Sequence, residues 1–375
     1  MVMNGVCYPF FEVLQSQSRF YSRPIALSCY LVVVMAIVGI VFVNQPSFGR
    51  IPRGERLARI ERSPNYRDGA FRNIHETPLM TSDKGRLQGL LDFVFKDKTG
   101  LQPDTALTVV KTDLRQINPE EDVLVWFGHS SYLVQVDGKR VLVDPVFCMA
   151  SPVSFINKPF KGTDVYHPED MPDIDYLVIS HDHWDHLDYH TVRALKDRIG
   201  KVICGLGVGE HFEYWGFDKE RIIELDWEEE VRLDSGFVMH CLPARHFSGR
   251  GLSANKTLWA SFLLETPSRK IYLAGDGGYD THFARIGDCF PGIDLAILEN
   301  GQYNEGWKYI HLMPDYLTRA ALDLKAKKVM TVHHSKYALA HHRWDEPLRN
   351  EMNMAKNDSL HVLIPVIGEV VRWGE

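Results

Sequence analysis

Residues 180–188, Ser-His-Asp-His-Trp-Asp-His-Leu-Asp, place three histidines and three aspartates within nine positions. Imidazole nitrogen and carboxylate oxygen without thiolate suit Zn²⁺, with Mn²⁺ or Fe²⁺ also admissible. In extended backbone, residues two apart point the same way, so His181 and His183 can bind one ion. Asp185 and His186 follow as the chain turns into its next helix, and they can face a second ion. Coordination positions left open on such ions hold water, which marks a catalytic rather than a structural site.

One nine-residue stretch cannot close two coordination shells, so further donors must arrive from distant parts of the chain. Strand ends bring loops together, and here four apolar runs each stop at a donor. Tyr176–Ser180 leads to His181 and His183, and Met239–Arg245 to His246. Ile271–Gly275 leads to Asp276, and Val329–Val332 to His333 and His334. His246 completes the first set and His333 the second, while the two carboxylate oxygens of Asp276 can bridge both. His129, in a Gly-His-Ser turn, is either a residue that orients a ligand or a plain turn residue. Asp144, before Pro145, is either an orienting carboxylate or a strand-end cap. His190, His211, His282, His341 and His342 read as surface or structural. Gly205–Gly209 (Gly-Leu-Gly-Val-Gly) lacks the Lys-Ser/Thr of a phosphate loop and reads as a turn.

The elements that must carry these donors follow from the pattern of short apolar runs between Gly, Pro and Asp. Strands are expected at 123–127, 132–136 and 139–143, the last two joined at Asp137-Gly138, a hairpin turn pair. Further strands fall at 175–180, 201–204, 237–242, 257–265, 270–274, 294–298, 328–332, 360–365 and 368–373. Asp188 can cap a helix over 189–199. Other helices are expected at 209–215, 279–286, 314–325 and 346–355. Many strands with interspersed helices predict an α/β (α+β) domain whose sheets are covered by helices.

Composition sets bounds on the rest. The 375 residues are 45% hydrophobic with a net charge of −7, acids and bases interspersed, so no basic nucleic-acid footprint is present. Six scattered cysteines, with no C-x-x-C, exclude a disulfide framework and a cysteine zinc site. Residues 25–43 run 19 positions without a charge, long enough to span a bilayer core. A cleaved signal peptide is the alternative, but the run is long and no small-residue cleavage site follows. The expected organisation is a short segment at 1–24, a transmembrane helix at 25–43, an Arg-rich linker and domain lead-in at 44–119, and a large domain carrying the candidate metal donors at 120–375. Arg19 and Arg23 precede the span and five arginines between 50 and 62 follow it, favouring a single-pass protein with its large part on the cytoplasmic side.

The ligand pattern resembles the metallo-β-lactamase superfamily: His181-x-His183-x-Asp185-His186, then His246, Asp276 and His333, over roughly residues 120–373. Within it, Trp126–Ser131, Val141–Phe147, Ile174–Tyr189, Glu224–Trp227, Pro243–Arg250, Leu273–Tyr279 and Ala326–Ala340 are similar to N-acyl-phosphatidylethanolamine-hydrolysing phospholipase D and its bacterial relatives. The resemblance implies a four-layer αβ/βα sandwich with two zinc ions at one edge. His181, His183 and His246 would hold one ion, Asp185, His186 and His333 the other, and Asp276 would bridge. It also favours His333 over His334 as ligand. It places His311 beside the substrate, as a general acid or a phosphate contact. Residues 298–307 depart from the animal enzymes. The implied reaction is hydrolysis of a membrane phospholipid phosphodiester, with Arg245, Arg250 and Lys336 as candidate phosphate contacts. A metal-dependent lactonase and a non-enzymatic zinc-stabilised membrane scaffold are the alternatives.

Overall fold

The structure is a computed structural model that describes residues 10–81, 98–153, 155–357 and 360–374, with side chains from residue 27 onward. It forms two compact units, Met1–Phe48 and Gly49–Glu375. The first holds helix α1 (Phe10–Val43) and a 3-10 turn at Pro46–Phe48, where Phe48 meets Phe42 edge-on at 5.3 Å. Among the described residues no helix is long and apolar enough to cross a membrane. This overturns the expected span at 25–43, and with it the single-pass topology and the cytoplasmic placement.

In the second unit, α2 (Gly54–Ile60) and the ribbon β1 (Tyr66–Arg67) and β2 (Ala70–Phe71) precede the sandwich. Residues here belong to the stretch read as linker and lead-in, yet Ile60 and Phe71 lie fully buried in the central core. The first sheet takes β3 (Val123–Trp126), β4 (Tyr132–Val136), β5 (Lys139–Val143), β6 (Ile174–Ile179), β7 (Ile199–Gly205) and β8 (Ile222–Leu225). The second takes β9 (Glu230–Arg232), β10 (Val238–Leu242), β11 (Ser261–Glu265), β12 (Lys270–Leu273), β13 (Leu295–Glu299), β14 (Lys328–Val332) and β15 (His361–Leu363). Finally β16 (Val370–Arg372) returns to the first sheet, giving the order β16-β3-β4-β5-β6-β7-β8. Both sheets are antiparallel at one end and parallel at the other.

Strand periodicity builds the layers. Leu124 and Trp126 of β3 face the core between the sheets, while Val125 and Phe127 face the outer side. On β13, Leu295 and Ile297 point inward, Ala296 and Leu298 outward. The outer face of the first sheet is covered by α3 (Tyr189–Leu195) and α4 (Gly209–Tyr214) through Val192, Leu195 and Phe212. Helices α5 (His282–Cys289), α6 (Pro314–Leu324) and α7 (Glu346–Met354) cover the second through Phe283, Leu317 and Met354. Helix, sheet, sheet, helix is the expected four-layer order.

Two local readings show sequence chemistry acting directly. Asp137 and Gly138 both have positive φ, 45° and 73°, as a two-residue hairpin turn with primed geometry requires. The Asp188 side chain caps α3 by accepting from the His190 N–H at 3.1 Å. The helix stops at Leu195, earlier than expected, because Ile199 already pairs with Ile174 in the parallel ladder.

Candidate metal centre

All seven residues named as ligands from the sequence converge at the C-terminal ends of β6, β10, β12 and β14. His181 Nε2 and His246 Nε2 lie 2.8 and 3.2 Å from His183 Nδ1. Beside them, Asp276 Oδ2 lies 3.1 Å from His186 Nε2, 3.2 Å from His333 Nε2 and 3.9 Å from His246 Nε2. Asp185 Oδ2 is 3.7 Å from His186 Nε2. Donor atoms of His181, His183 and His246 fall within 4.8 Å of one another, as do those of His129, Asp185, His186 and His333.

The other ring nitrogen of most of these histidines is held from behind. His246 Nδ1–H donates to the Ile310 carbonyl at 2.6 Å, and His186 Nδ1–H to Asp144 Oδ2 at 2.8 Å. His333 Nδ1 pairs with Ser130 Oγ at 2.8 Å and His181 Nδ1 with Ser180 Oγ at 2.9 Å. Such backing fixes ring orientation and aims the Nε2 lone pair into the cluster. Burial pushes the imidazoles of His181, His246 and His333 well below their usual range, leaving them neutral, which is the metal-binding form. Against the upward push of burial, His186 and His129 hold the Asp185 carboxyl below its ordinary value.

Whether these residues suit a metal can be judged from what they lack. His186 Nε2, His333 Nε2 and Asp276 Oδ1 are buried without a hydrogen-bond partner. Stranding a buried polar atom costs about 1–3 kcal/mol, and here three sit together, beside imidazoles whose lone pairs face one another. A divalent cation satisfies nitrogen and carboxylate donors at once, so the arrangement fits one. The His and Asp clusters are therefore able to bind metal ions.

Backbone strain gathers at the same place. His129, Asp144 and His333 all adopt left-handed conformations, with φ of 53°, 41° and 73°. Such strain persists where the surroundings over-determine it, and it clusters at functional sites. His129 N–H donates to the His334 carbonyl and His333 N–H to the His129 carbonyl, both at 2.9 Å, so the two turns clamp each other across the sheets.

The open questions at His129 and Asp144 resolve toward the site. His129 Nε2 lies 2.9 Å from Asp185 Oδ2. Asp144 also accepts from Ser180 N and Oγ, at 2.8 and 2.6 Å. His334 turns away, toward Ser335 and Glu351. His311 Nδ1 donates to Glu299 Oε1, whose partner oxygen accepts from Gly277 N–H at 2.7 Å. Burial opposes a charge on His311, but the Glu299 carboxylate outweighs it and raises the imidazole. Glu299 was not singled out from the sequence, although it too ends an apolar strand.

The three cations named as phosphate contacts are committed elsewhere. Buried Arg250 donates to the carbonyls of Asp182 and Leu187 at 2.9 and 2.6 Å. Lys336 is buried against the Val146 carbonyl at 3.1 Å. Arg245 bonds Thr77 and the Glu76 carbonyl, each at 3.0 Å. In the Gly205–Gly209 turn, Glu224 Oε1 accepts from Gly207 and Gly209 N–H at 2.7 and 3.2 Å, so a carboxylate takes the donors a phosphate would need.

Comparison with known proteins agrees with this geometry. The Beta-lactamase superfamily domain model matches residues 139–334. An uncharacterized protein of Mycobacterium tuberculosis is 37% identical over 321 residues, covering 83% of this chain and 85% of its own. The N-acyl-phosphatidylethanolamine-hydrolyzing phospholipase D 1 of Caenorhabditis elegans is 32% identical over 231 residues, 57% of this chain and 64% of that protein. Igni18, a metallo hydrolase of Ignicoccus hospitalis, shares the fold with a TM-score of 0.52 at 21% identity, over 67% of this chain and 98% of its own. With its histidines and aspartates gathered at the strand ends of a four-layer sandwich, the chain belongs to the beta-lactamase superfamily, among its metal-dependent hydrolases.

Proposed function

We propose that the chain is a phosphodiester hydrolase of the phospholipase D type, that it holds two zinc ions, and that its substrate class is N-acyl-phosphatidylethanolamine. One observation carries the reading: partnerless buried donors converge at a point whose exposed rim is formed by Asp185 and His311, with side chains 15% and 14% exposed. His181, His183 and His246 would hold one ion, Asp185, His186 and His333 the other, with Asp276 between them. Bound there, the ions would supply a water of lowered pKa and neutralise phosphate oxygens.

The remaining steps fall to the chain's own groups. Glu299 fixes the His311 tautomer by accepting from Nδ1–H, so His311 Nε2 is the ring atom left to donate a proton to the leaving oxygen. His129 holds the Asp185 carboxylate at 2.9 Å, so that it cannot swing toward solvent. The name of the C. elegans relative supports the substrate class, since its similarity covers 57% of this chain.

The test is a metal analysis of the purified protein together with hydrolysis of N-acyl-phosphatidylethanolamine in mixed micelles and of a panel of lactones. About two zinc per chain and metal-dependent release of phosphatidic acid are expected. Lactone opening without phosphatidic acid release would replace the phosphodiester reading. A metal-filled protein inert on every ester would point to a scaffold.

A further inference from the structure

The first metal position is braced by residues far upstream of the sandwich. Asn73 grips the backbone of His246 from both sides. Its Oδ1 accepts from His246 N–H at 3.1 Å, and its Nδ2 donates to the His246 carbonyl at 2.7 Å. Trp259 Nε1–H donates to the same Oδ1 at 3.1 Å, which leaves only one orientation for the amide.

A second brace reaches the other two histidines of that set. Arg50 N–H donates to His211 Nδ1 at 3.0 Å, which fixes the proton of that ring on Nε2. His211 Nε2–H then donates to Asp182 Oδ2 at 3.1 Å. Asp182 lies between His181 and His183, and it also accepts from Gly249 N–H at 2.7 Å and Thr257 Oγ1 at 2.8 Å. The chain must approach His211 closely to make this bond. At Gly49, with φ of 71°, a Cβ would stand 2.0 Å from His211 Nδ1, so only glycine fits. Arg50 and Arg56 also tie this stretch to the buried Glu210 beside His211.

The second metal set is backed differently. His186, His333 and Asp185 are held by Asp144, Ser130 and His129, all within the sandwich. The upstream stretch therefore grips one set and not the other.

We propose that Asn73 and His211 are positioning residues for the first metal position, so that its occupancy depends on the stretch from Gly49 to Asn73. This rests on the two-metal reading above. Losing Asn73 lets the His246 turn relax; losing His211 removes one of the bonds that hold the Asp182 carboxylate between two ligands. Outer-sphere changes of this kind typically lower metal affinity by about 10–100-fold.

The experiment compares the full chain with Asn73→Ala, His211→Ala and His211→Gln. Glutamine carries an oxygen and an N–H about as far apart as the two imidazole nitrogens, so it can restore both bonds. Met239→Ala, in the central core away from the cluster, serves as a control for lost stability. Zinc is titrated against a chelator, and Co²⁺-substituted protein is followed by its visible spectrum. In Asn73→Ala and His211→Ala, one of two ions should weaken about 10–100-fold, the other should be unchanged, and the spectral band of one Co²⁺ should shift. His211→Gln should recover most of the affinity, and Met239→Ala should leave both ions in place. Unchanged affinities for both ions in Asn73→Ala and His211→Ala, or equal weakening of both ions, would overturn the proposal while leaving the two-metal reading intact. Fewer than two ions in the parent chain would overturn that reading instead.

Discussion

Asp144 Oδ2 accepts the Nδ1–H of His186 at 2.8 Å, so a buried carboxylate decides where His186 Nε2 points. Asp144 sits at φ 41°, a conformation asparagine also tolerates, which makes Asp144→Asn a test of charge and acceptor capacity without added strain. The variant should fold and lose about 10–100-fold in affinity for one metal ion. Chelator titration of the purified variant checks this, and full retention of both affinities would remove Asp144 from the centre.

His311→Ala should retain both metals and lose turnover by about 10²–10⁴-fold on a poor leaving group. A substrate with a very good leaving group should lose much less, because it leaves without a proton. Rates on a matched pair of phosphodiesters decide the matter. Equal losses on both would assign His311 to phosphate binding instead.

Gln302 is buried, and its amide makes four hydrogen bonds. It donates to the carbonyls of His333 and Tyr337 at 3.2 and 3.0 Å, and accepts from the N–H groups of Leu339 and Ala340 at 2.8 and 3.0 Å. Gln302→Ala leaves these backbone groups to find new partners in a water-poor site. Urea denaturation should register a loss of about 2–4 kcal/mol. A loss below about 0.5 kcal/mol, typical of surface substitutions, would mean the loop is held by other means.

His282, at the start of α5, is pushed down to about 4 by burial, with Asp280 opposing the shift. The unfolded chain takes up this proton near pH 6.5 and the folded chain only near 4. Between those values the unfolded state binds more protons, so stability falls as the solution is acidified, by about 3 kcal/mol for this one group. His282→Gln cannot titrate. Its stability difference from the parent chain should therefore shift in its favour by that amount between pH 7 and pH 4. Parallel stability curves for the two proteins would show that His282 is not the group responsible.

The convergence of these histidines and aspartates was legible because each group of them follows an apolar run, and strand ends in one sandwich must share an edge. Asp188 and the Asp137-Gly138 turn were legible for a similar reason: cap and turn chemistry is local. What could not be read depends on distant packing. Nothing near Asn73 in the sequence marks it, since its partner His246 lies 173 positions away. Arg245, Arg250 and Lys336 look like anion contacts until burial and carbonyl acceptors claim them. The apolar run at 25–43 has the composition of a span, yet among the described residues no helix is long and apolar enough to cross a membrane. Strands β8 and β9 escaped notice because they are short and only partly buried, which blurs their alternation.

The return of β16 to the first sheet bears on how the molecule is made. Val370–Arg372 pairs antiparallel with Val123–Trp126, so the edge of β3 has no neighbour on that side until residue 372 has left the ribosome. By then every other strand has been synthesised, the whole second sheet included. An uncovered, fully apolar strand edge is a template for pairing with another chain. The nascent protein thus carries an adhesive edge until this strand emerges, and chains cut short before Val370 should yield aggregates in place of a slightly shortened hydrolase.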